Sequence, residues 1–318
     1  MQLYNTLSAK ERAALIEEAG QERLTISFYQ YAHIGNPKIL RNHLFLAWNE
    51  LDVLGRIYVA YEGINAQLSV PAENFVAFKE HLDSISFLEN VRLNIAIEQD
   101  NLSFLKLKVK VRNKIVADGL NDRTFDVTNK GVHVSAEEFN ALIEDPDTVL
   151  VDMRNHYESE IGHFKNAITP DVDTFRDSLD IIENDLKEHK EDKKLVMYCT
   201  GGIRCEKASA YYKHKGFKNV YQLEGGIIDY TRQVQNKNLE NKFIGKNFVF
   251  DHRLGERVTE DIISKCHQCN SPADSHTNCL NQSCHVLFIQ CESCIKIYQN
   301  CCSKSDPPPP PGQKTPPP

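Results

Sequence analysis

Hydrophobic and polar positions along the chain change period repeatedly, and each change predicts an element. In MQLYNTLSAKERAALIEEAG (1–20), Ser8 stands three residues ahead of Glu11, and Ala13, Leu15 and Ile16 follow. That is a capping box opening an amphipathic helix within residues 1–22. LTISFYQYAHI (24–34) is aromatic and β-branched, which predicts a strand stopped by Gly35-Asn36-Pro37. KILRNHLFLAWNEL (38–51) returns to helical spacing through Ile39, Leu40, Leu44 and Ala47. Two strand-like runs then meet at Glu62-Gly63 within 56–70, and Pro71 opens a helix with Phe75, Phe78 and Leu82 on one face. VRLNIAIE (91–98) and FLKLKVKVRNKIV (104–116) read as closing strands. Helices interleaved with hairpin-joined strands predict a ferredoxin-like α+β domain over 23–118.

Asn121–Asn129 is polar and without period, a predicted linker. A second unit over 125–240 alternates apolar strands (149–151, 195–198, 219–223) with helical stretches such as FRDSLDIIENDLKEHK and CEKASAYYKHKG. This predicts an α/β domain with a parallel sheet and functional loops at the strands' C-terminal ends. A cysteine-rich module follows over 241–306, and 307–318 is a proline tail that cannot form a core.

Composition sharpens this picture only where it is uneven. The chain has 318 residues, 41% hydrophobic and 25% charged, with a formal charge of −7. Ten cysteines are split: Cys199 and Cys205 in the body, and eight between 266 and 302. The N-terminus lacks the apolar core and small-residue cleavage site of a secretory signal, and no apolar run approaches the ~18 residues of a membrane span. A cytoplasmic protein is expected, whose clustered thiols bind metal rather than form disulfides.

In KKLVMYCTGGIRCEKASAYYKHKGF (193–217), a buried strand runs into Cys199, then Thr200, Gly201, Gly202 and Ile203, then a helix starting near Arg204 or Cys205. The loop amides, the helix N-terminus and Arg204 all favour a thiolate at Cys199. The glycines let several amides converge on one anion, which would suit a thiolate, a persulfide or a cysteine-bound oxyanion. A plain core cysteine at a strand end is the bland reading of Cys199. Cys205 suits either packing or the resolution of an oxidised Cys199.

In FLKLKVKVRNKI, Lys106, Lys108, Lys110, Arg112 and Lys114 alternate with aliphatic residues, so period two puts five cations on one strand face. A solvated face or edge protection explains such a stripe. A polyanion relieves its self-repulsion equally well. Tyr29, Tyr31, Trp48 and Tyr61 can stack on bases, but core packing is the simpler expectation.

The terminal cysteines are spaced Cys266-x2-Cys269, Cys279-x4-Cys284, Cys291-x2-Cys294 and Cys301-Cys302. This suits two structural four-thiolate zinc sites. The expected arrangement is cross-braced: Cys266, Cys269, Cys291 and Cys294 at one site, and Cys279, Cys284 and Cys301 or Cys302 at the other. His267, His276 and His285 are substitute ligands, and a reduced or disulfide-linked tail is the alternative.

Cys199-Thr-Gly-Gly-Ile-Arg204 resembles the active-site loop of rhodanese-type sulfurtransferases. VDMRNHYESEIGHFKNA (151–167) is similar to that family's Asp-x-Arg…Glu…Gly-His signature, and LEGGIIDY (223–230) to its closing Gly-Gly turn. By this resemblance Asp152, Arg154 and His163 orient loops rather than do chemistry. Arg204 follows Cys199 at five positions; related dual-specificity phosphatases place it at six, so phosphatase chemistry is not expected. YEGINAQLSVP (61–71), FLKLKVKVRNKIVADG (104–119) and GKNFVFDHRLGERV (245–258) narrow the resemblance to the bacterial tRNA uridine 5-hydroxylase family. That family joins an acylphosphatase-like domain to a rhodanese domain. The resemblance implies oxygen-dependent formation of 5-hydroxyuridine at the tRNA wobble position, with a persulfide at Cys199.

Three functions follow as expectations: wobble-uridine hydroxylation in the tRNA anticodon loop, persulfide transfer to another acceptor, or a non-catalytic RNA-binding adaptor. Molecular oxygen and zinc are the implied small partners, with a sulfur donor or reductant beside them. No redox cofactor and no oligomeric state are assigned.

Overall fold

In a computed structural model, residues 3–121, 124–281 and 283–303 are described. The proline tail at 307–318 lies outside them. Helix α1 (Ala9–Ala19) carries the capping box: Ser8 Oγ accepts from the Glu11 amide, and Glu11 Oε2 accepts from the Ser8 amide.

The first domain runs β1 (Arg23–Tyr31), α2 (Pro37–Glu50), β2 (Leu54–Ala60), β3 (Gly63–Pro71), α3 (Phe75–Asp83), β4 (Asn94–Ile95) and β5 (Leu107–Val111). Its sheet has the order β4-β1-β3-β2-β5, antiparallel except that β5 lies parallel to β2. Alternation divides its two faces. Ile26, Phe28, Ile57, Val59, Ala66 and Val109 pack under α2 and α3 around the fully buried Trp48. Trp48 sits edge-on to Phe28 and tilted against Phe78; truncation to alanine would cost about 3–5 kcal/mol. Ser27, Tyr29, Arg56, Tyr58, Asn65 and Gln67 stand on the other face, toward the second domain. The closing strands are shorter than their periodicity predicts. Only Asn94–Ile95 and Leu107–Val111 pair, because Asp100–Ser103 makes a turn and the chain leaves the sheet after Val111.

The second domain contains β6 (Val132–Val134), α4 (Ala136–Ile143), β7 (Thr148–Asp152), α5 (His156–Ser159), β8 (Gly162–Phe164), α6 (Phe175–Asp185), β9 (Lys194–Tyr198), α7 (Ile203–His214), β10 (Asn219–Leu223) and α8 (Gly226–Lys237). Its sheet is parallel in the order β6-β10-β9-β7. Both faces are covered, as such sheets require: Leu195 and Met197 pack with α6 and α7, Val196 and Tyr198 with α4 and α8.

Strand β11 (Phe243–Asn247) returns to pair antiparallel with β8 and carries β12 (Glu256–Arg257). Beyond it, β13 (His276–Asn278), β14 (Leu287–Ile289) and α9 (Glu292–Tyr298) carry the terminal cysteines. The two domains are bolted together by charge. The Arg232 guanidinium donates to the Ile95 and Ala96 carbonyls at 2.8 and 2.7 Å. Lys207, almost fully buried, meets Glu62 at 2.7 Å.

Candidate active site between the two domains

Strand β9 delivers Cys199 to the floor of the domain interface, where the thiol is fully buried. The Gly202 amide donates to its Sγ at 3.2 Å. From behind, the start of α8 holds the loop: the amides of Ile227 and Ile228 donate to the carbonyls of Cys199 and Thr200 at 3.0 and 3.2 Å. Gly226 makes that approach possible. At φ +66°, a Cβ there would sit 2.5 Å from the Cys199 carbonyl oxygen. Gly202 is required for two reasons: its φ is +99°, and a Cβ would come within 2.8 Å of the Tyr29 hydroxyl. Ile203 opens α7, and its carbonyl receives the Tyr31 hydroxyl at 3.5 Å.

Burial pushes the Cys199 thiol up, yet opposing effects outweigh it. A hydrogen bond from Cys205, the charge of Arg204 and the amides of Cys205 and Arg204 leave Cys199 lowered to about 6. Burial raises Cys205 far above the ordinary thiol range, and its bond to Cys199 adds to that. The two opposite shifts favour a thiolate at Cys199 beside a neutral thiol at Cys205. Arg204 is itself clamped: Glu158, fully buried on α5, accepts from both guanidinium ends at 2.6 and 2.8 Å. Glu158 belongs to the signature between Arg154 and His163, but sequence reasoning assigned it no role. Its cue is a carboxylate inside a motif whose partner must hold a buried arginine.

Asp152 and Arg154 form a fully buried pair, with contacts at 2.9, 3.1 and 2.6 Å. Arg154 also donates to the Gly162 carbonyl at 2.6 Å, tying β7 to β8 beneath the loop. His163 lies in β8, its Nδ1 near the Phe164 carbonyl, and does not line the space around Cys199.

That space is a cavity of about 430 Å³ whose wall is shared by both domains. The second domain contributes the Cys199 loop; the first contributes the polar face of its sheet, including Tyr29, Arg56, Tyr58 and Asn94. Only Trp48 of the four aromatic residues is core. Tyr61 is exposed, and Tyr29 and Tyr31 face the second domain because their strand face is the interface. Tyr29 donates to Glu206, which is also held by Lys130 and His133.

Lys106, Lys108, Lys110 and Arg112 lie on or beside β5, on the sheet face that continues into the cavity wall through Arg56 opposite Lys108. Burial pushes the Lys108 amine down, and the like charges of Arg56, Lys110 and Lys106 add to it. Arg56, on a neighbouring strand, was not picked out from the sequence; it follows from the same period of two in RIYVAY. Arg112 lies over the Tyr58 ring. Lys114 departs from the predicted stripe. It has left the strand and turns inward to the buried Asp118 at 2.5 Å and the Leu120 carbonyl at 2.6 Å.

In the terminal module, Cys266, Cys269, Cys291 and Cys294 converge with their sulfurs within 4.8 Å of one another. Cys279, Cys284 and Cys302 form a second such group among the described residues. Cys301 is not in it; its sulfur faces the Gln299 carbonyl, because adjacent side chains diverge. His267 and His276 turn to Glu160 instead of the sulfurs. Two of the pairs, Cys269–Cys291 and Cys284–Cys302, are 3.6 Å apart. Tetrahedral zinc with 2.3 Å bonds needs edges of about 3.8 Å, so the sulfurs fit.

Fold and site together define a rhodanese-type domain with a buried cysteine at the mouth of its loop, fused to an acylphosphatase-like domain that roofs it. Family models agree: a UPF0176 acylphosphatase-like domain over 23–115, a rhodanese-like domain over 135–233 and a rhodanase C-terminal region over 244–305. The chain is 53% identical over 303 residues to the tRNA uridine(34) hydroxylase of Photorhabdus laumondii, covering 95% of this chain and 86% of that one. It is 54% identical over 301 residues to the protein of that name in Leptospira interrogans, covering 95% and 82%. The Escherichia coli SE11 protein is 52% identical over 303 residues, covering 95% and 86%. The chain belongs to the tRNA uridine(34) hydroxylase family.

Proposed function

We propose that this protein hydroxylates uridine 34 of tRNA to 5-hydroxyuridine, with Cys199 as the reactive centre. One observation carries the reading: a thiol lowered to about 6 opens onto a cavity whose opposite wall continues into a lysine-rich sheet face. Cys199 has no exposed surface of its own. A persulfide would bring the reactive sulfur about 2.05 Å farther out, the length of one S–S bond. Arg204, the loop amides of 200–203 and the Cys205 thiol hold the resulting anion. Asp152 and Arg154 set the loop, and His163 supports the neighbouring strand. Oxygen is the co-substrate that the family resemblance implies: one atom enters the uracil, and the other leaves as water with two electrons and two protons from a reductant, while a sulfur donor loads the persulfide.

Lys106, Lys108, Lys110, Arg112 and Arg56 take the phosphates of an anticodon loop, whose unpaired base enters the cavity at little unstacking cost. Lys114 serves the fold instead. A persulfide transferase with a small acceptor has no use for this stripe. Reversing Lys108 and Lys110 to Glu is expected to weaken tRNA binding at low salt and to flatten its salt dependence. The cysteine groups hold structural zinc: Cys266, Cys269, Cys291 and Cys294 at one site, Cys279, Cys284 and Cys302 at the other.

The test is mass spectrometry of tRNA nucleosides from cells lacking the protein, complemented with wild type or Cys199→Ala. Wild type restores 5-hydroxyuridine and the variant does not. Levels that ignore the protein overturn the reading.

A further inference from the structure

The sheet face that roofs the cavity carries one row of side chains from the reactive loop to the lysines. Across β1, β3, β2 and β5, Tyr29 stands opposite Asn65, Asn65 opposite Tyr58, and Tyr58 opposite Lys110. The Tyr58 backbone is therefore two strands, about 10 Å, from Tyr29 and one strand, about 5 Å, from Lys110. The inner end of the row is spent on the fold. Tyr29 donates to Glu206 at 3.2 Å, and Asn94 beside it donates to the Gly201 carbonyl at 3.4 Å. Asn65 donates to the Ile115 carbonyl at 3.1 Å.

Tyr58 is not committed in this way. Ile57 and Val59 on either side are core residues, so alternation turns the Tyr58 ring to the interdomain face, where it lines the cavity half-buried. Its hydroxyl makes no hydrogen bond among the described residues. The exposed Arg112 lies with its guanidinium carbon 5.3 Å from the ring centroid and pairs with no carboxylate among the described residues. An aromatic ring and a guanidinium plane are the two surfaces on which proteins stack unpaired bases.

We infer that the Tyr58–Arg112 pair stacks the base adjoining uridine 34. The inference rests on the proposed tRNA reaction and adds a contact to it. Lysines that hold phosphates do not fix which nucleotide enters a pocket. Taking uridine 34 out of the stack also bares a face of its neighbour, and an aromatic ring recovers that loss. A stacking stop between the lysines and Cys199 does both: it sets the register of the loop and compensates the flip.

The experiment measures the affinity of the full-length protein for anticodon stem-loops with uridine at 34 and an intact or abasic nucleotide at 33 or 35. Wild type should bind at least about fivefold more weakly when one of these neighbours is abasic. Tyr58→Ala should weaken binding of the intact stem-loop by a similar factor and show no further loss at that abasic site, because both changes delete one contact. Tyr58→Phe keeps the ring and should bind as wild type does. Stacking carries no charge, so Tyr58→Ala should leave the salt dependence unchanged. A purely structural role for Tyr58 would weaken intact and abasic stem-loops equally. That result overturns the inference, as does wild-type indifference to both abasic sites. Binding is read apart from chemistry, so a stem-loop that is stacked as expected but never hydroxylated at 34 refutes the proposed function and not the contact.

Discussion

The two cysteine populations face the same electrostatic problem and solve it differently. At Cys199 one thiolate is stabilised by a charge the chain provides: Arg204, locked by Glu158, with the loop amides and a donating thiol around it. In the terminal module four sulfurs converge, and neither Lys nor Arg is among the groups that shift Cys266, Cys269 or Cys294. The thiols there cannot all ionise alone. Hydrogen bonds from Ser271 lower Cys269 to about 6, while burial and the neighbouring sulfurs push Cys294 up to about 12. A pre-built counter-charge leaves a nucleophile free to react. A cluster without one needs a cation, and binding that cation makes its sulfurs inert ligands.

The largest expected effects come from crossing the two sites. Cys199→Ala should abolish tRNA product, by about 1,000-fold or more, with bound metal unchanged. Cys266→Ser should instead lose about one metal equivalent per chain and loosen the module. Elemental analysis and nucleoside mass spectrometry on both variants provide the check. Metal loss in Cys199→Ala, or an apo wild type, would break the contrast. Partial loss of activity in Cys266→Ser is compatible with it, because Cys266 packs with Ile161 and Phe248 while the adjoining Phe250 lines the cavity.

The next effect concerns the counter-charge. Arg204→Met should raise the midpoint of Cys199 alkylation from about 6 by about 1–3 units. It also strands Glu158 in the interior, at a cost of about 3–5 kcal/mol. The double variant Arg204→Met/Glu158→Gln removes that cost and retains the shift. The sign for stability follows. A thiol whose folded pKa lies below its unfolded value of about 8.5 stabilises the fold fully above that pH. The contribution fades as pH falls through about 6. Urea unfolding of wild type between those pH values should therefore show a stability slope that the double variant reduces.

Much of this arrangement was legible in the sequence, for identifiable reasons. The strand–Cys–Gly-Gly–Arg–helix order in 193–217 constrains the loop because each residue type has a local backbone role, and Gly202, at φ +99°, has one. CxxC knuckles likewise carry their own geometry. Period two separated Ile57 and Val59 from Arg56 and Tyr58, but it cannot say what covers a polar face. That is why Tyr29 and Tyr31 were expected in the core, and why Asn94 and Glu158 passed without a role. Their partners lie more than 40 positions away, on another domain or another helix. Lys114 failed for a different reason. The alternation in the sequence continues past Val111, but pairing stops there and the chain turns toward Asp118.

The smallest effect tests whether the donating thiol belongs to the counter-charge at all. Burial and the bond to Cys199 keep Cys205 protonated, so it contributes a hydrogen bond and no charge. A hydrogen bond to an ionised partner is worth about one pKa unit. Cys205→Ala should therefore raise the Cys199 alkylation midpoint by about one unit, while Cys205→Ser, which keeps a donor, should leave it near 6. Both variants pack a small side chain into the same buried place, so lost packing alone would move them together. An unchanged midpoint in Cys205→Ala would assign the whole stabilisation to Arg204 and the amides. The contrast with the terminal cluster would then rest on cationic charge and backbone dipoles alone.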